Sequence, residues 1–205
     1  MTLVVYISGR HGAGKSTLKT LVAQSLKRSG LSVYVLSEFN IVPDMPIGSM
    51  EFQLNYQKEM EVRESIIGFL KQKNNIDVIL CDRSPHDVDI YTGNIDALLD
   101  LSANQTVVDP SALYVLVDRD TDKIIEGIKE RAKVEGHRSD WKEEDLEYLE
   151  NIGDLFNKHY PMNVIVNNNG DIEEAVKIIL KNIYKRRILT WNSQILSHYY
   201  NITHT

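Results

Sequence analysis

Gly9-Arg10-His11-Gly12-Ala13-Gly14-Lys15-Ser16-Thr17 is the stretch of this sequence with the clearest chemistry. It fits G-x-x-x-x-G-K-[ST], a phosphate-cradling loop set between a strand and a helix. Gly9, Gly12 and Gly14 let the main chain wrap closely enough for its N–H groups to converge on phosphate oxygens. The start of the following helix adds the positive end of its dipole. Lys15 can reach the β- and γ-phosphates of a nucleotide, and the Ser16 hydroxyl is a hard oxygen donor suited to Mg²⁺.

Three further groups have types and positions that could serve the same chemistry. Asp82 closes the apolar run Val78-Ile79-Leu80-Cys81, where a carboxylate beside the loop can organise Mg²⁺. Arg83 next to it is a planar, permanently charged fork suited to a phosphate or a 5′-oxygen. Glu38 follows a second apolar run, on the edge where α/β sheets bind ligands. Arg63 sits mid-helix among Glu59, Glu61 and Glu64, where an ion pair with Glu59 one helical turn away is open to it. His11 either touches a substrate or faces water. His86, His137 and His159 have no ligand spacing and read as surface residues, while Cys81 reads as a small buried filler.

The elements that must position these groups are legible as apolar patterns. Leu3–Ile7, Ser32–Leu36, Ile76–Cys81, Ala112–Val117 and Asn163–Val166 are continuous and β-branched, as strands buried on both faces require. Helical spacing recurs over Lys15–Arg28, Met50–Lys73, Asp122–Val134, Glu143–Asn157 and Ile172–Tyr184. Strand–helix alternation of this kind predicts an α/β fold, a doubly wound five-stranded parallel sheet flanked by helices. The expected organisation is one domain over residues 1–187, with residues 188–205 as a helical extension of it. In that extension Ile188, Trp191, Ile195 and Tyr199 either pack on the domain or meet a second copy.

Composition narrows the function classes. The chain has 205 residues, 42% of them apolar and 25% charged, as in an ordinary globular protein. The net charge of −6 argues against a nucleic acid partner. One cysteine allows no internal disulfide and no cysteine-based metal site. Neither a signal peptide nor a membrane span of ~18 apolar residues is visible, so the expectation is a soluble, cytoplasmic protein. No N-K-x-D guanine reader occurs, since Asn167-Asn168-Asn169-Gly170 lacks the Lys and the placed Asp. The modules of a motor ATPase do not fit in this length. A small kinase does.

Asp82-Arg83-Ser84-Pro85-His86-Asp87-Val88-Asp89-Ile90-Tyr91-Thr92-Gly93 resembles the thymidylate kinase segment D-R-Y-x-x-S-x-x-A-Y-Q-G, with the D-R pair, the Tyr and the closing Gly in register. Arg63 lies near the helix-borne Arg that this family uses to read the base. A lid at about 123–140 resembles the family's mobile lid, with Lys129, Arg131, Lys133 and Arg138 close to the donor phosphates. Leu146-Glu147-Tyr148-Leu149-Glu150 resembles the helix that follows it. The resemblance spans roughly residues 3–185.

The sequence also departs from that family. His11 stands where it carries Asp, and Ser37-Glu38-Phe39-Asn40 replaces its R-E-P, with no Arg between Arg28 and Arg63. Ser84 and Thr92 replace its Tyr and Gln. Glu38, Asp82-Arg83-Ser84 and Phe52-Gln53 are instead similar to the related deoxynucleoside kinases, in which that Glu is the base for the 5′-hydroxyl and the F-Q pair meets the nucleobase.

These resemblances imply ATP as phosphoryl donor, Mg²⁺ as cofactor, a nucleoside or nucleotide as the small-molecule partner, no nucleic acid or membrane, and a possible homodimer. The expected reaction is phosphorylation of dTMP to dTDP. Transfer to a nucleoside 5′-hydroxyl is the alternative, and nucleotide binding without turnover is a further one. Lys15, Asp82, Arg83, Arg131 and Glu38 form the expected catalytic set. The loop from Gly9 to Thr17, with Arg10, His11 and Ala13, would bind the donor. Glu38, Phe52, Gln53, Arg63, Arg83 and Tyr91 would bind the acceptor, and Ser16 with Asp82 would organise the metal.

Overall fold

The structure, a computed structural model, describes residues 2–37, 49–73, 75–93, 109–135 and 145–202. The apolar runs become β1 (Leu3–Ser8), β2 (Val33–Leu36), β3 (Val78–Asp82), β4 (Leu113–Asp118) and β5 (Val164–Asn167). They form one parallel sheet in the order β2-β3-β1-β4-β5. The register sets Ile7 of β1 beside Asp82 of β3, and Ser8 beside Leu116 of β4. The Gly9 loop therefore leaves the sheet between the carboxyl ends of β3 and β4, at the edge where such sheets bind ligands.

Alternate side chains feed two cores. Val5, Ile7, Leu80, Val115 and Val166 pack under α1 (Lys15–Arg28) and α6 (Ile172–Ile202). Val4, Tyr6, Ile79, Cys81, Tyr114 and Leu116 face α2 (Met50–Gln72), α3 (Asp87–Thr92) and α5 (Leu146–His159). At about 1.5–3 kcal/mol for each fully buried large apolar side chain, these two layers hold the sheet rigid beneath the site. The expectation of burial on both faces is met by the central strands β1, β3 and β4. It is not met at the edges: β5 alternates buried and exposed, and β2 is only half-buried. An edge strand has a neighbour on one side only and less helix above it.

The helices follow the expected segments, with two differences. The short α3 lies in the Asp82–Gly93 segment, to which the sequence spacing assigns no helix, and its six residues are too few to show a period. Residues 188–202 do not form a separate element; they continue α6 without a break, and the side chains of Trp191, Ile195 and Tyr199 lie outside the described ones. Helix α4 (Thr121–Glu135) occupies most of the segment expected as a lid, whose residues 136–140 lie outside the described ones. Its Ile124 and Ile128 are buried against Leu149 of α5 in a small core of their own. Among the described residues, no helix is long and apolar enough to cross a membrane.

Candidate active site

The loop after β1 is shaped before any ligand arrives. Gly9, Gly12 and Gly14 all have positive φ, and a Cβ on Gly9 would lie 2.2 Å from the Val117 carbonyl oxygen. Only glycine fits there. Four loop carbonyls are held by side chains. Tyr91 Oη donates to Gly9 at 2.9 Å and Lys15 Nζ to Arg10 at 2.8 Å. Arg119 Nη1 donates to Gly12 at 3.3 Å and Asn168 Nδ2 to Ala13 at 2.8 Å. Helix α1 starts at Lys15 with Gly14 in the left-handed region, and no side chain caps it. Its first-turn N–H groups therefore remain for an anion, as a phosphate site needs.

Arg10 offers that site its main chain alone. Its guanidinium turns away to Thr121 Oγ1 at 3.0 Å and Asp118 Oδ1 at 3.1 Å, and also donates to the Arg119 carbonyl. This joins the loop to the start of α4. Three acceptors at the β4–α4 junction and the Leu149 carbonyl of α5 hold the guanidinium there.

Asp82 is 1% exposed. Its Oδ2 accepts from Ser16 Oγ at 3.1 Å and from Lys19 Nζ at 2.7 Å. Its Oδ1 is buried and has no hydrogen-bond partner among the described residues. An unsatisfied carboxylate oxygen beside a serine hydroxyl is a donor set that fits Mg²⁺. Among the described residues no three His, Cys, Asp or Glu side chains group to hold a metal by themselves. Bound phosphates would have to complete the shell, the usual arrangement for Mg²⁺.

Arg83 is the one described non-glycine residue with positive φ, at 71°. Such a conformation costs on the order of 1–3 kcal/mol and concentrates at functional sites. The bend is held by the Arg83 N–H, which donates to Ile7 O at 2.9 Å. The guanidinium lies over the Tyr91 ring, 4.8 Å from its centroid, and Nη2 is 3.5 Å from His11 Nδ1. His11 in turn packs on the same ring at 4.8 Å. His11 is 6% exposed, so neither open water nor the chain's surface is its setting. Tyr91, expected on the acceptor, donates its hydroxyl to the loop and meets Arg83 and His11 with its ring.

Beside this cluster, α2 and the segment that carries α3 enclose a cleft of about 520 Å³. Gln53, Gln57, Met60, Glu61 and Glu64 line one wall, and Pro85, Val88, Asp89 and Thr92 the other. Ser49 starts α2 by accepting from the Phe52 N–H at 3.1 Å, which sets the register that aims Gln53 into the cleft. Phe52 is buried next to it, against Tyr56 at 5.8 Å. Arg63 is buried, with its guanidinium beside the Cys81 thiol of β3. Burial pushes the Cys81 thiol up to about 12, with the Arg63 guanidinium pulling the other way, so Cys81 is an inert filler. Arg131 is half-buried on α4. Glu38 lies outside the described residues.

The site also contains residues that sequence reasoning missed. Lys19, one turn after Lys15 on α1, could have been found from that spacing alone. Asn168 and Arg119 gave no local signal, because their partners in the loop are 155 and 107 residues away. His86 was expected at the surface. It is 6% exposed, 5.8 Å from the Tyr114 ring, because the turn before α3 tucks it into the core.

Residues 1–86, less than half of the chain, match the adenylylsulphate kinase family. No curated protein matches the chain. Among solved structures, deoxyadenosine kinase from M. mycoides with the products dCMP and a flexible dCDP bound is similar with a TM-score of 0.59. The identity is 18%, over 89% of this chain and 100% of that one. The same enzyme with bound dATP aligns over the same shares with a TM-score of 0.50 and 18% identity. At this identity the likeness establishes the fold: the chain has the α/β fold of that deoxyadenosine kinase.

Proposed function

We propose that this chain transfers the γ-phosphoryl group of ATP to the 5′-hydroxyl of a nucleoside whose base lies in the α2–α3 cleft. The observation that carries the proposal is Arg83, held in a strained conformation with its guanidinium against His11 of the loop, two residues before Pro85 in the cleft wall. Lys15 and the loop N–H groups would hold the donor phosphates. Ser16 and Asp82 would hold Mg²⁺, which when bound neutralises phosphate charge. Arg83 would meet the oxygen that bridges donor and acceptor, and Arg131 would approach from α4. Such transfers depend on positioning and charge stabilisation more than on covalent chemistry. Glu38 would take the proton of the hydroxyl.

The charge distribution favours an uncharged acceptor. Among the described residues the cleft is lined by Glu61, Glu64 and Asp89 and by no Lys or Arg. The sequence has no Lys or Arg from Ser29 to Gln57 or from Ser84 to Asp118. A monophosphate brings roughly two negative charges that must be paired when water is excluded. The second reading, dTMP as acceptor, draws on the D-R…Tyr-x-Gly segment, in which Arg83 and Tyr91 do come into contact. The match to adenylylsulphate kinases keeps a third acceptor in the test.

A transfer screen with ATP against nucleosides, nucleoside monophosphates and adenylylsulphate tests these readings. We expect nucleosides to be phosphorylated, with Glu38→Gln costing ~10²-fold in kcat through loss of the general base. Transfer to dTMP alone, abolished by Arg83→Ala and only weakened by Glu38→Gln, would establish the second reading. ATP binding with no acceptor turned over would leave a nucleotide-binding protein without kinase activity.

A further inference from the structure

Asp87 is a fully buried carboxylate that none of the roles above uses. Its Oδ1 accepts from Ser8 Oγ at 2.6 Å, Ser84 Oγ at 2.7 Å and Ser84 N–H at 3.0 Å. Its Oδ2 accepts no hydrogen bond among the described residues and faces Arg83 Nη1 at 3.8 Å. Behind it, Tyr160 Oη donates to Ser8 Oγ at 2.8 Å. The network therefore ties the last residue of β1, the turn after β3, the first residue of α3 and the end of α5 to one point. That point is next to the arginine with left-handed backbone geometry.

Burying a carboxylate is costly unless it is paired and hydrogen-bonded. Desolvation pushes the Asp87 carboxyl up, while Arg83, Ser8 and Ser84 pull it down. Three donors on one oxygen fix the group's rotation, so the other oxygen is presented to the guanidinium without freedom to follow it.

We infer that Asp87 is a positioning residue, whose carboxylate, locked by Ser8 and Ser84, holds the Arg83 guanidinium over Tyr91 and against His11 of the phosphate loop. The inference rests on the role proposed above for Arg83. Asp87→Asn is the informative change. It keeps the size and the Oδ1 acceptor for both serines, and it turns an amide, without charge, toward Arg83.

The test is a double-mutant cycle on kcat, with folding checked by circular dichroism. Asp87→Asn is expected to lower kcat by ~10-fold or more with the KM for ATP within about twofold of the parent. Adding Asp87→Asn to Arg83→Ala should cost nothing further, since both remove one unit. Additive effects in the cycle, or an Asp87→Asn enzyme with parental kcat, would overturn the inference while leaving the kinase reading intact. A parental kcat for Arg83→Ala would overturn both the role given to Arg83 and the inference. The arginine Nε–H signal of Arg83, assigned by its loss in Arg83→Lys, provides a readout that needs no turnover. Its protection from solvent exchange should be lost in Asp87→Asn, and unchanged protection would also overturn the inference. Asp87→Ser, shorter and without a second oxygen, should behave as Asp87→Asn does.

Discussion

The side chains around the loop show how burial changes a residue's chemistry. His86 sits in the turn before α3 with almost no exposure, and burial lowers its pKa to about 4 from 6.5. It is therefore neutral in the folded protein at pH 7, while the unfolded chain binds a proton there below pH 6.5. Folding stability should be unaffected by this group above pH 6.5, fall as pH drops from 6.5 to 4, and reach its full penalty below 4. The ceiling is roughly 3 kcal/mol, at 1.36 kcal/mol for each pH unit separating the two states. Urea unfolding at pH 7.5 and pH 4.5 should show the loss in the parent and a smaller loss in His86→Gln. Equal losses in the two proteins would remove His86 as the cause.

At the scale of elements, the phosphate loop and α4 form one packed unit. A Cβ on Gly12 would lie 3.0 Å from both Ile124 Cγ2 and Ile128 Cγ1, and 3.1 Å from the Ile124 carbonyl oxygen. The φ of Gly12 is 71°, so a side chain is strained there whatever the space. Gly12→Ala should therefore push α4 off the loop as well as distort the loop. We expect a loss of about 1–3 kcal/mol in stability and weaker ATP binding, measured by denaturant titration and calorimetry. Parental values for both would show that α4 does not bear on Gly12. The alanine's contact with main chain, not only with flexible side-chain ends, is what makes relief by small repacking inadequate.

For the molecule as a whole, α4 links the donor loop to α5, and α5 completes the core above β1 and β4. The two ends of α4 differ: Ile124 and Ile128 are buried near the root, while Lys129, Lys133 and Val134 are exposed toward the end. A bound donor and acceptor should draw this outer end over the phosphates and exclude water, as lids do in related chemistry. Amide hydrogen exchange over residues 129–135 should slow when a bisubstrate analogue binds, with little change at 121–128. Uniform exchange across α4, at independently shown saturation, would rule out closure by this helix.

Much of this protein is determined locally, and those parts are readable from the chain. The loop Gly9–Thr17 is legible in the spacing of neighbours, and Asp82-Arg83 in their place at the end of an apolar run. The strands and long helices follow from runs and periods of a few residues, which is why the five-stranded parallel sheet was predictable. Tertiary structure decided the rest. Which strands became edges, the turn that buries His86, and the union of residues 188–202 with α6 depend on what packs above them. The Lys19–Asp82 pair joins residues 63 apart, and the Ser8–Asp87 bond residues 79 apart. No local pattern encodes such contacts, because they exist only once the sheet register brings the ends of β1 and β3 side by side. The same register brought a strained arginine against His11 of the loop, turning a motif into a candidate active site.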